Sequence, residues 1–251
     1  MNKLVELNTL IKTYLEKTTF NNIEILLTDN KILNLEHLHL KEKIDLKKQG
    51  GYCFEHNKLF FLNLLENTFS ARSLLARVVY GKEIDAPKTH RFNIVEIGKE
   101  EFLVDVGFGP YTPSRAIPLN GEMIKTETEN CFRVVKKNEN SYFLQILKGE
   151  SYMSLYQFDK HNYTEADFDL SNYYTNTHPD SKFIKSLIIS KINHEKIIFI
   201  NSLNLTKINK DKRLEQEIQS SEELKIILEQ EFNIILTQEE SKILYSKNET
   251  F

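Results

Sequence analysis

The sequence is poor in cysteine, with only Cys53 and Cys131 among its 251 residues. Two cysteines are too few for the disulfide framework that stabilises small secreted domains. Long apolar runs are also missing, so no segment reaches the length that crosses a bilayer. The charged N-terminal segment MNKLVELNTLIKTYLEK lacks the apolar core of a signal peptide. We therefore expect a cytoplasmic protein without a membrane partner, in which both thiols are reduced.

The sequence also lacks an excess of basic residues. It has 33 Lys and Arg against 36 Asp and Glu, interleaved, with a formal net charge of −3. A nucleic-acid surface needs concentrated positive charge, so we expect no nucleic-acid partner. The most basic segment, KINKDKR at 207–213, is typical of a solvated turn, and a coenzyme's phosphates are the alternative ligand for it.

Signatures of metal and dinucleotide sites are missing as well. The glycines of GFGPYTP do not have the G-x-G-x-x-G spacing of a dinucleotide loop. The HLH triplet at 37–39, with Cys53 and His56, supplies zinc-ligand residue types without a CxxC pair or a familiar fourth ligand. We therefore predict no metal site.

Helical spacing dominates the first 70 or so residues, and β-patterning follows. One apolar stripe predicts an N-terminal helix, at Leu4, Leu7, Ile11 and Leu15. Residues 23–46 show no clear period. From about residue 71, β-branched runs flank the turns GKE and NEN, which predicts antiparallel hairpins and a barrel or sandwich.

The last third of the chain is predicted to contain a loop, then strands, then helices. NYYTNTHPDSKF is predicted to be a loop, and the segment from 196 to 218 to be two or three strands turning at 209–212. Ser220 with Glu223, and Thr237 with Glu240, have the spacing of capping boxes and predict two closing helices.

The segment KKQGGYCFEHN, at 47–57, contains the first candidate catalytic residue. Gly50 and Gly51 permit a tight turn, and the apolar run KLFFLNLLENTF predicts a buried helix after it. Cys53 is thus expected in the first turn of that helix, where unpaired N–H groups favour a thiolate. Cys131, in the strand-like NCFRVVKK, is expected to be a small buried apolar side chain.

A hairpin supplies a base and a group to orient it. Gly98-Lys99 suits a two-residue type II′ turn, which pairs Ile97 with Glu100 and places Phe92 opposite Asp105. His90 and Asp105 then share one face as diagonal neighbours, about 7–8 Å apart at the backbone. A carboxylate beside a histidine fixes its tautomer and stabilises the imidazolium, which in turn lowers the apparent pKa of a neighbouring thiol. Cys53, His90 and Asp105 are therefore the parts of an activated thiol.

These residues resemble the arylamine N-acetyltransferase family nearly from end to end. GGYCFEHN is similar to the family's nucleophile motif, an arginine followed by G-G-x-C-x-E-x-N. THRFNIVEI resembles the strand that carries the base, and FLVDVGFG with IPL resembles the segment that carries the orienting aspartate. Other segments that resemble the family are YLEKTTF, ARVVYG, NYYTNTHPDSKF and SSEELKIILEQEFNIIL.

The resemblance implies an α+β fold with a cysteine-protease-like Cys-His-Asp core. A helical bundle at 1–80 would carry Cys53, an antiparallel β-barrel at 81–185 would carry His90 and Asp105, and an α/β lid would occupy 186–251. Cys53 would be the nucleophile, His90 the base and Asp105 its orienter. Further residues expected to line the pocket or support these three are Tyr52, Phe54, Glu55, Asn57, Thr89, Gly107 and Phe108.

The resemblance also implies substrates and an assembly state. Acetyl-CoA would be the donor, and an arylamine, arylhydrazine or N-hydroxyarylamine the acceptor, in a ping-pong exchange through acetyl-Cys53 that releases coenzyme A. This activity is typical of xenobiotic metabolism, in a monomer or homodimer. A cysteine hydrolase or transglutaminase-like enzyme is an alternative, as is a weakly active or inactive relative that only binds coenzyme A. Amide-bond formation in a biosynthetic pathway is a further alternative within the family.

Two departures from the family pattern affect this region. Gln49 stands where the family has its arginine, and the PFENL-like stretch upstream is replaced by the shorter LNLEHLHLKEKIDLKKQ. We hypothesise that the arginine and the acidic stretch anchor each other, so that their joint loss is less damaging than the loss of either.

Overall fold

A computed structural model describes residues 2–28, 32–82, 85–210 and 212–249. Its α-helices are α1 (Lys3–Lys17), α2 (Ile23–Leu27), α3 (His37–Leu40), α4 (Cys53–Glu66), α5 (Glu165–Thr177), α6 (Ser221–Phe232) and α7 (Gln238–Glu249). Its strands are β1 (Phe20–Asn21), β2 (Ser70–Val78), β3 (His90–Ile97), β4 (Glu100–Val104), β5 (Ile117–Pro118), β6 (Ile124–Lys125), β7 (Cys131–Asn138), β8 (Ser141–Lys148), β9 (Ser151–Phe158), β10 (Ile188–Ile192), β11 (Lys196–Asn201), β12 (Asn204–Asn209) and β13 (Lys212–Glu217). Across these ranges, no helix combines the length and apolar character needed to cross a membrane.

The first helix packs against the helix that begins at the cysteine. Leu7, Ile11 and Leu15 of α1 are buried in one apolar cluster with side chains of α4. Burying a side chain of this size stabilises a fold by about 1.5–3 kcal/mol. The predicted N-terminal stripe is therefore confirmed, and it fixes α1 along one side of α4.

Residues 23–46 lack a single period because short elements of different geometry follow one another. After α2 and α3, the chain widens into a π-helical turn, Lys41–Leu46, in which the Lys47 N–H donates to the Glu42 carbonyl at 2.8 Å. A π-helical turn rotates its side chains away from the α-helical positions. Here Lys43 faces the interior and is buried.

Eight strands form a nearly closed antiparallel barrel. Their order is β5-β4-β3-β2-β9-β8-β7-β6. The inward side chains of these strands form a core that is rich in aromatic rings, among them Phe92, Tyr156 and Phe158. The prediction of a β-rich middle, as a barrel or a sandwich, is thus confirmed as a barrel.

The β3–β4 hairpin has the register predicted from its turn. Ile97 pairs with Glu100 and Asn93 with Val104, which continues to Phe92 opposite Asp105. Gly98 has a φ of +66°, as the first position of a type II′ turn requires, and Lys99 is outside the left-handed region. The register brings His90 and Asp105 to one face at one end of the hairpin.

A second sheet, in the order β1-β10-β11-β12-β13, joins the two ends of the chain. Its edge strand β1 comes from the connection between α1 and α2 and pairs antiparallel with β10. The same short strand also bridges to the turn before Cys53, because Phe20 forms a parallel bridge with Gly51. The Asn21 N–H donates to the Gly51 carbonyl at 2.7 Å.

The C-terminal strands and helices follow the predicted pattern. The Ser220 hydroxyl accepts from the Glu223 N–H at 3.1 Å, and the Glu240 carboxylate accepts from the Thr237 N–H at 2.8 Å. Both predicted helix starts are confirmed. The apolar faces of α6 and α7 pack on the second sheet in one buried cluster.

Two local predictions are wrong. Half of the predicted loop NYYTNTHPDSKF is helical, because α5 continues to Thr177. Asn172 and Asn176 of this helix bond to the buried Tyr52 hydroxyl, so a tertiary contact outweighs their weak helix preference. Cys131 begins β7 and is only partly buried, since its strand lies next to the short edge strand β6.

Candidate active site

The turn before α4 is built around two glycines with no room for a side chain. Gly50 has a φ of +69°, and a Cβ there would lie 2.0 Å from the Thr19 carbonyl oxygen. A Cβ on Gly51 would lie 2.8 Å from a Glu55 carboxylate oxygen. The Gln49 N–H donates to the Lys43 carbonyl, and its own carbonyl accepts from Asn21. The turn is therefore ordered through its main chain, while the Gln49 side chain is exposed.

A buried lysine takes part in fixing the start of α4. Lys43 Nζ lies 2.6 Å from Glu55 Oε1 and also pairs with Glu24. Glu55 Oε2 accepts from the Tyr52 N–H at 3.0 Å, which caps α4 immediately before Cys53. Burial alone would lower the pKa of Lys43, but the two carboxylates raise it, so the ammonium is retained.

Cys53 is the first residue of α4, as predicted, and it is 2% exposed. Its Sγ lies 3.8 Å from the Thr89 carbonyl oxygen, next to His90 in sequence. A Cβ on Gly107 would lie 3.0 Å from the Cys53 Cα, so the segment after Asp105 passes directly over the start of the helix. The chain thus brings the helix start and the end of the β3–β4 hairpin into contact.

The expectation that the helix start by itself favours a Cys53 thiolate is not met, because the pKa of this thiol is raised. Burial raises the pKa of the Cys53 thiol, and the negative charges of Asp105 and Glu55 raise it further. Main-chain N–H groups of Arg91 and Phe54 offset part of this rise. The helix start alone therefore does not hold an isolated thiolate, and a cation must form beside the sulfur for the charge to be stable.

His90 and Asp105 are hydrogen-bonded, with 2.6 Å between His90 Nε2 and Asp105 Oδ2. Both side chains are almost completely buried. An ionised carboxylate only accepts hydrogen bonds, so the ring carries its proton on Nε2 and Nδ1 has the free lone pair. This tautomer is the one a general base needs.

Asp105 accepts four hydrogen bonds from the part of the chain that the structure describes. Its Oδ1 accepts from Asn57 Nδ2 at 3.0 Å and from the Gly107 N–H at 2.9 Å, and its Oδ2 also accepts from the Tyr156 hydroxyl at 3.0 Å. Burial alone would raise the pKa of Asp105, but His90, Asn57 and Gly107 hold it below its usual value. The carboxylate is thus kept ionised in a dry site.

Asn57 ties the helix to both strands of the hairpin. Its Nδ2 donates to the Arg91 carbonyl at 2.7 Å as well as to Asp105, and its Oδ1 accepts from the Val106 N–H at 3.1 Å. One turn of α4 separates Asn57 from Cys53, so both residues project to the same side of the helix. This residue fixes the distance between the helix start and the carboxylate.

Aromatic rings pack around His90. The Phe108 ring is 4.8 Å from the His90 ring, and the Tyr156 ring is 5.0 Å from it. Tyr80 stacks on Phe108 at 5.7 Å and is 44% exposed. Tyr80 and Phe108 therefore form a row of contacting rings from the surface to the histidine.

The remaining predicted residues divide into two groups. Glu55, Asn57, Gly107, Phe108 and the Thr89 carbonyl contact the group around Cys53, as described above. Tyr52 and Phe54 point elsewhere: the Tyr52 hydroxyl bonds to α5, and Phe54 packs against the Tyr52 ring.

The zinc alternative finds no support in the contacts of His56. Its Nε2 donates to the Thr19 carbonyl at 3.1 Å, so its Nδ1 accepts from the Tyr14 hydroxyl at 2.9 Å. Burial lowers the pKa of His56 to about 4, and the ring is neutral. Within the described ranges, no group of three or more His, Cys, Asp and Glu side chains could hold a metal ion.

Sequence reasoning missed Lys43 and Tyr156. Lys43 reaches Glu55 only because of the π-helical turn, which no simple period indicates. Tyr156 lies on β9, 51 residues after Asp105, and meets it only when the barrel closes. The inward positions of β9 would have been a signal only once its pairing with β2 was known.

Comparisons with known proteins agree with the fold and with the motifs. The family model described as N-acetyltransferase matches residues 3–241. The chain is 31% identical to an arylamine N-acetyltransferase of Escherichia coli over 173 residues, which is 68% of this chain and 60% of that protein. The match to the Salmonella typhimurium relative likewise spans 60% of that protein.

Solved structures match over a larger share of the chain. The arylamine N-acetyltransferase of Salmonella typhimurium is similar with a TM-score of 0.90 and 25% identity, over 100% of this chain and 93% of that one. The Mycobacterium marinum enzyme, solved in complex with CoA, shares the fold with a TM-score of 0.88 and 23% identity, over 98% of this chain and 93% of that one. With a family model that covers most of the sequence, the chain belongs to the arylamine N-acetyltransferase family.

Proposed function

We propose that this protein transfers an acetyl group from acetyl-CoA to an arylamine, arylhydrazine or N-hydroxyarylamine by a ping-pong mechanism through acetyl-Cys53. The observation that carries the proposal is the buried His90–Asp105 pair, 2.6 Å apart, together with a buried cysteine whose Sγ lies 3.8 Å from the carbonyl oxygen of Thr89, the residue before His90. Family membership supports acetyl transfer as the reaction, and the M. marinum complex supports CoA as a ligand of such a fold.

The first half-reaction begins with a proton transfer. His90 Nδ1 takes the Cys53 proton, and the resulting imidazolium supplies the cation that the buried thiolate needs. Asp105 stabilises that imidazolium through its bond to Nε2. The sulfur attacks the acetyl carbonyl carbon, the bond from that carbon to the coenzyme sulfur breaks, and His90 returns its proton to the leaving thiolate.

The second half-reaction reverses these roles. The acceptor nitrogen attacks the acetyl carbon of acetyl-Cys53, and the bond to Sγ breaks. His90 takes the proton that the amine loses and gives it to the departing Cys53 sulfur. An arylamine is neutral near pH 7, so its lone pair is available.

The site favours transfer over hydrolysis because it is dry. Cys53 and His90 are each 2% exposed, so water has little access to the acyl-enzyme. The first N–H groups of α4 lack intrahelical acceptors and are the donors nearest to an oxyanion formed at Cys53. In this proposal the three segments 1–80, 81–185 and 186–251 act as helical domain, barrel and lid.

The test is the acetyl-enzyme itself. We expect incubation with acetyl-CoA to add one acetyl group to the chain, measured by intact mass, and peptide mapping to locate it on Cys53. Cys53→Ala should lose the adduct, whereas Cys131→Ala, the matched control for the other thiol, should keep it. An aniline or hydrazine should then discharge the adduct and yield the acetylated amine.

Three outcomes would overturn the proposal. An adduct that persists in Cys53→Ala would refute the nucleophile. Amide cleavage by the wild type without an acetyl adduct would favour the cysteine hydrolase. Coenzyme A binding with no thiol reactivity above background towards iodoacetamide would favour a binding protein without catalysis.

A further inference from the structure

An exposed lysine at the end of β8 lies next to the row of aromatic rings that reaches His90. Lys148 Nζ is 4.6 Å from the centre of the Tyr111 ring, a cation–π contact. Among residues 2–28, 32–82, 85–210 and 212–249, no carboxylate forms an ion pair with Lys148. Its charge is therefore not neutralised within the described part of the chain.

Tyr111 connects this lysine to His90 through a continuous row of rings. The Tyr80 ring is 6.3 Å from Tyr111 and 5.7 Å from Phe108, which is 4.8 Å from His90. Three aromatic side chains thus separate the lysine from the histidine. Lys148 therefore stands at the outer end of a row of contacting rings whose inner end is His90.

A second cation comes from the basic segment KINKDKR. Within it, Lys207 is neutralised by Glu231 at 2.6 Å. Arg213, on the edge strand β13, acts on Lys148 with its positive charge, and partial burial together with that charge lowers the pKa of the lysine. Arg213 bonds to one oxygen of Glu215 through Nε and Nη2, each at 2.7 Å.

The turn that carries Tyr111 is the place where the barrel meets the second sheet. The 3₁₀ turn Gly109–Tyr111 follows Asp105 closely in sequence and packs against β10 and β11. Lys148 approaches this turn from the barrel, and Arg213 belongs to the sheet that packs on it. Two like charges held near each other by separate parts of a fold favour binding of an anion between them.

We propose that Lys148, with Arg213 beside it, binds a phosphate group of the acetyl donor. This inference rests on the proposed function. An arylamine acceptor is about one ring long, whereas the row from His90 to Lys148 contains three rings. Acetyl-CoA carries its phosphates far from its thioester, so it is the substrate whose charge reaches the outer end of the row. Lysine and arginine both form charge-assisted hydrogen bonds to phosphate oxygens.

The test compares donors with and without phosphate in variants of the exposed cations. The donors are acetyl-CoA, which carries phosphates, and S-acetylpantetheine, which does not. The readout is the donor ratio, defined as kcat/KM for acetyl-CoA divided by kcat/KM for S-acetylpantetheine, measured with one acceptor. We expect this ratio to fall about fivefold to tenfold in Lys148→Met, by less in Arg213→Gln, and further in the double variant. Added salt should lower the same ratio in the wild type.

Lys99→Met is the matched control. Lys99 is exposed in the β3–β4 turn, at the other end of β3 from His90, and the substitution removes the same charge. Its donor ratio should equal that of the wild type. A Lys148→Met ratio no lower than the Lys99→Met ratio would overturn the phosphate site.

A second experiment tests whether Lys148 binds a carboxylate of the acceptor in place of a phosphate of the donor. The acceptors are 4-aminobenzoate and aniline, with S-acetylpantetheine as donor. If Lys148→Met lowers kcat/KM for 4-aminobenzoate alone and leaves the donor ratio intact, the cation serves an acceptor carboxylate and the inference is wrong.

The acetyl adduct on Cys53 separates failure of this inference from failure of the function. If Lys148→Met and Lys99→Met have equal donor ratios and the wild type forms the adduct, only the phosphate site is refuted. A wild type that forms no adduct with either donor refutes the function, and the inference is refuted with it.

Discussion

Lys43→Met should destabilise the protein far more than the loss of an ordinary surface lysine. Lys43 and Glu55 side chains are 7% and 1% exposed, and Nζ lies 2.6 Å from Oε1. Removing one partner of a buried ion pair costs about 3–5 kcal/mol, because the other charge is left in a dry site. Glu24 is 35% exposed and can rehydrate, so the cost arises at Glu55.

The pH dependence of this loss has a definite sign. Burial already raises the pKa of Glu55, and Lys43 is the main influence that lowers it. Without the lysine, the folded-state pKa of Glu55 rises further above the unfolded value. Protonation then stabilises the folded variant at low pH, and that stability is lost as the pH rises through the folded pKa. The gap between Lys43→Met and wild type should therefore be larger at pH 8 than at pH 5.

Denaturant unfolding followed by circular dichroism measures these differences, provided that the slope with denaturant is unchanged. Lys47→Met is the matched control, since Lys47 pairs with Glu42 in the same segment at 2.8 Å and both side chains are 56% exposed. Its cost should be about 0–1 kcal/mol. Lys43→Arg should retain most of the stability, and Glu55→Gln should recover part of it in the Lys43→Met background.

The same substitution should slow acetylation of Cys53. Without Lys43, the Glu55 side chain loses the ammonium that holds it in place, which weakens its hydrogen bond to the Tyr52 N–H and loosens the first turn of α4. A displacement of about 1 Å in a reacting group costs about 100-fold in rate. If Lys43→Met matched Lys47→Met in both stability and acetylation rate, the positioning argument would be refuted.

Two further predictions concern buried titratable groups. Asp105→Asn should lower the rate of Cys53 acetylation about 10³- to 10⁴-fold, because an amide does not select the Nε2–H tautomer of His90. The matched control is Asp180→Asn, which removes an exposed carboxylate and should leave that rate unchanged. Mass spectrometry measures the rate of adduct formation in both variants. The free energy of unfolding should fall by about 3 kcal/mol between pH 7.5 and pH 4 on account of His56, whose pKa falls on folding from 6.5 to about 4. The unfolded state binds the extra proton in this window, so stability is present above the unfolded pKa and is lost on acidification. His56→Gln should flatten the profile relative to wild type, whereas the exposed His161→Gln should follow it; equal slopes in both variants would contradict the assignment.

Local signals in the sequence were sufficient to predict the hairpin that carries His90 and Asp105. A glycine at the first turn position specifies a two-residue loop, and that loop fixes every pair from Ile97 and Glu100 to Phe92 and Asp105. The start of α4 was equally local, because two glycines precede an apolar helical run. Cys53, His90 and Asp105 remain predictions as a catalytic group, but their neighbourhood follows from these two elements.

The missed features depend on contacts between distant parts of the chain. Residues 172–177 have weak helix propensity, and they become helical because Tyr52 and Phe168 provide a buried partner and a packed face for α5. Lys43, which enters from a π-helical turn, forms the buried ion pair with Glu55 at the start of α4. The turn at Gln49 is ordered through its main chain although the Gln49 side chain is exposed, which is compatible with the hypothesis that joint loss of the arginine and the acidic stretch is less damaging than the loss of either.

The short strand Phe20–Asn21 has a consequence for the order of folding. It is held on one side by β10, which lies more than 165 residues later in the sequence, and on the other by Gly51, in the turn before Cys53. During synthesis, a nascent chain that has emerged only as far as about residue 185 contains Cys53, His90 and Asp105 but lacks the partner of this strand. The turn before Cys53 therefore reaches its final structure only after β10 has been synthesised. A chain truncated before β10 should leave this turn without one of the strands that order it.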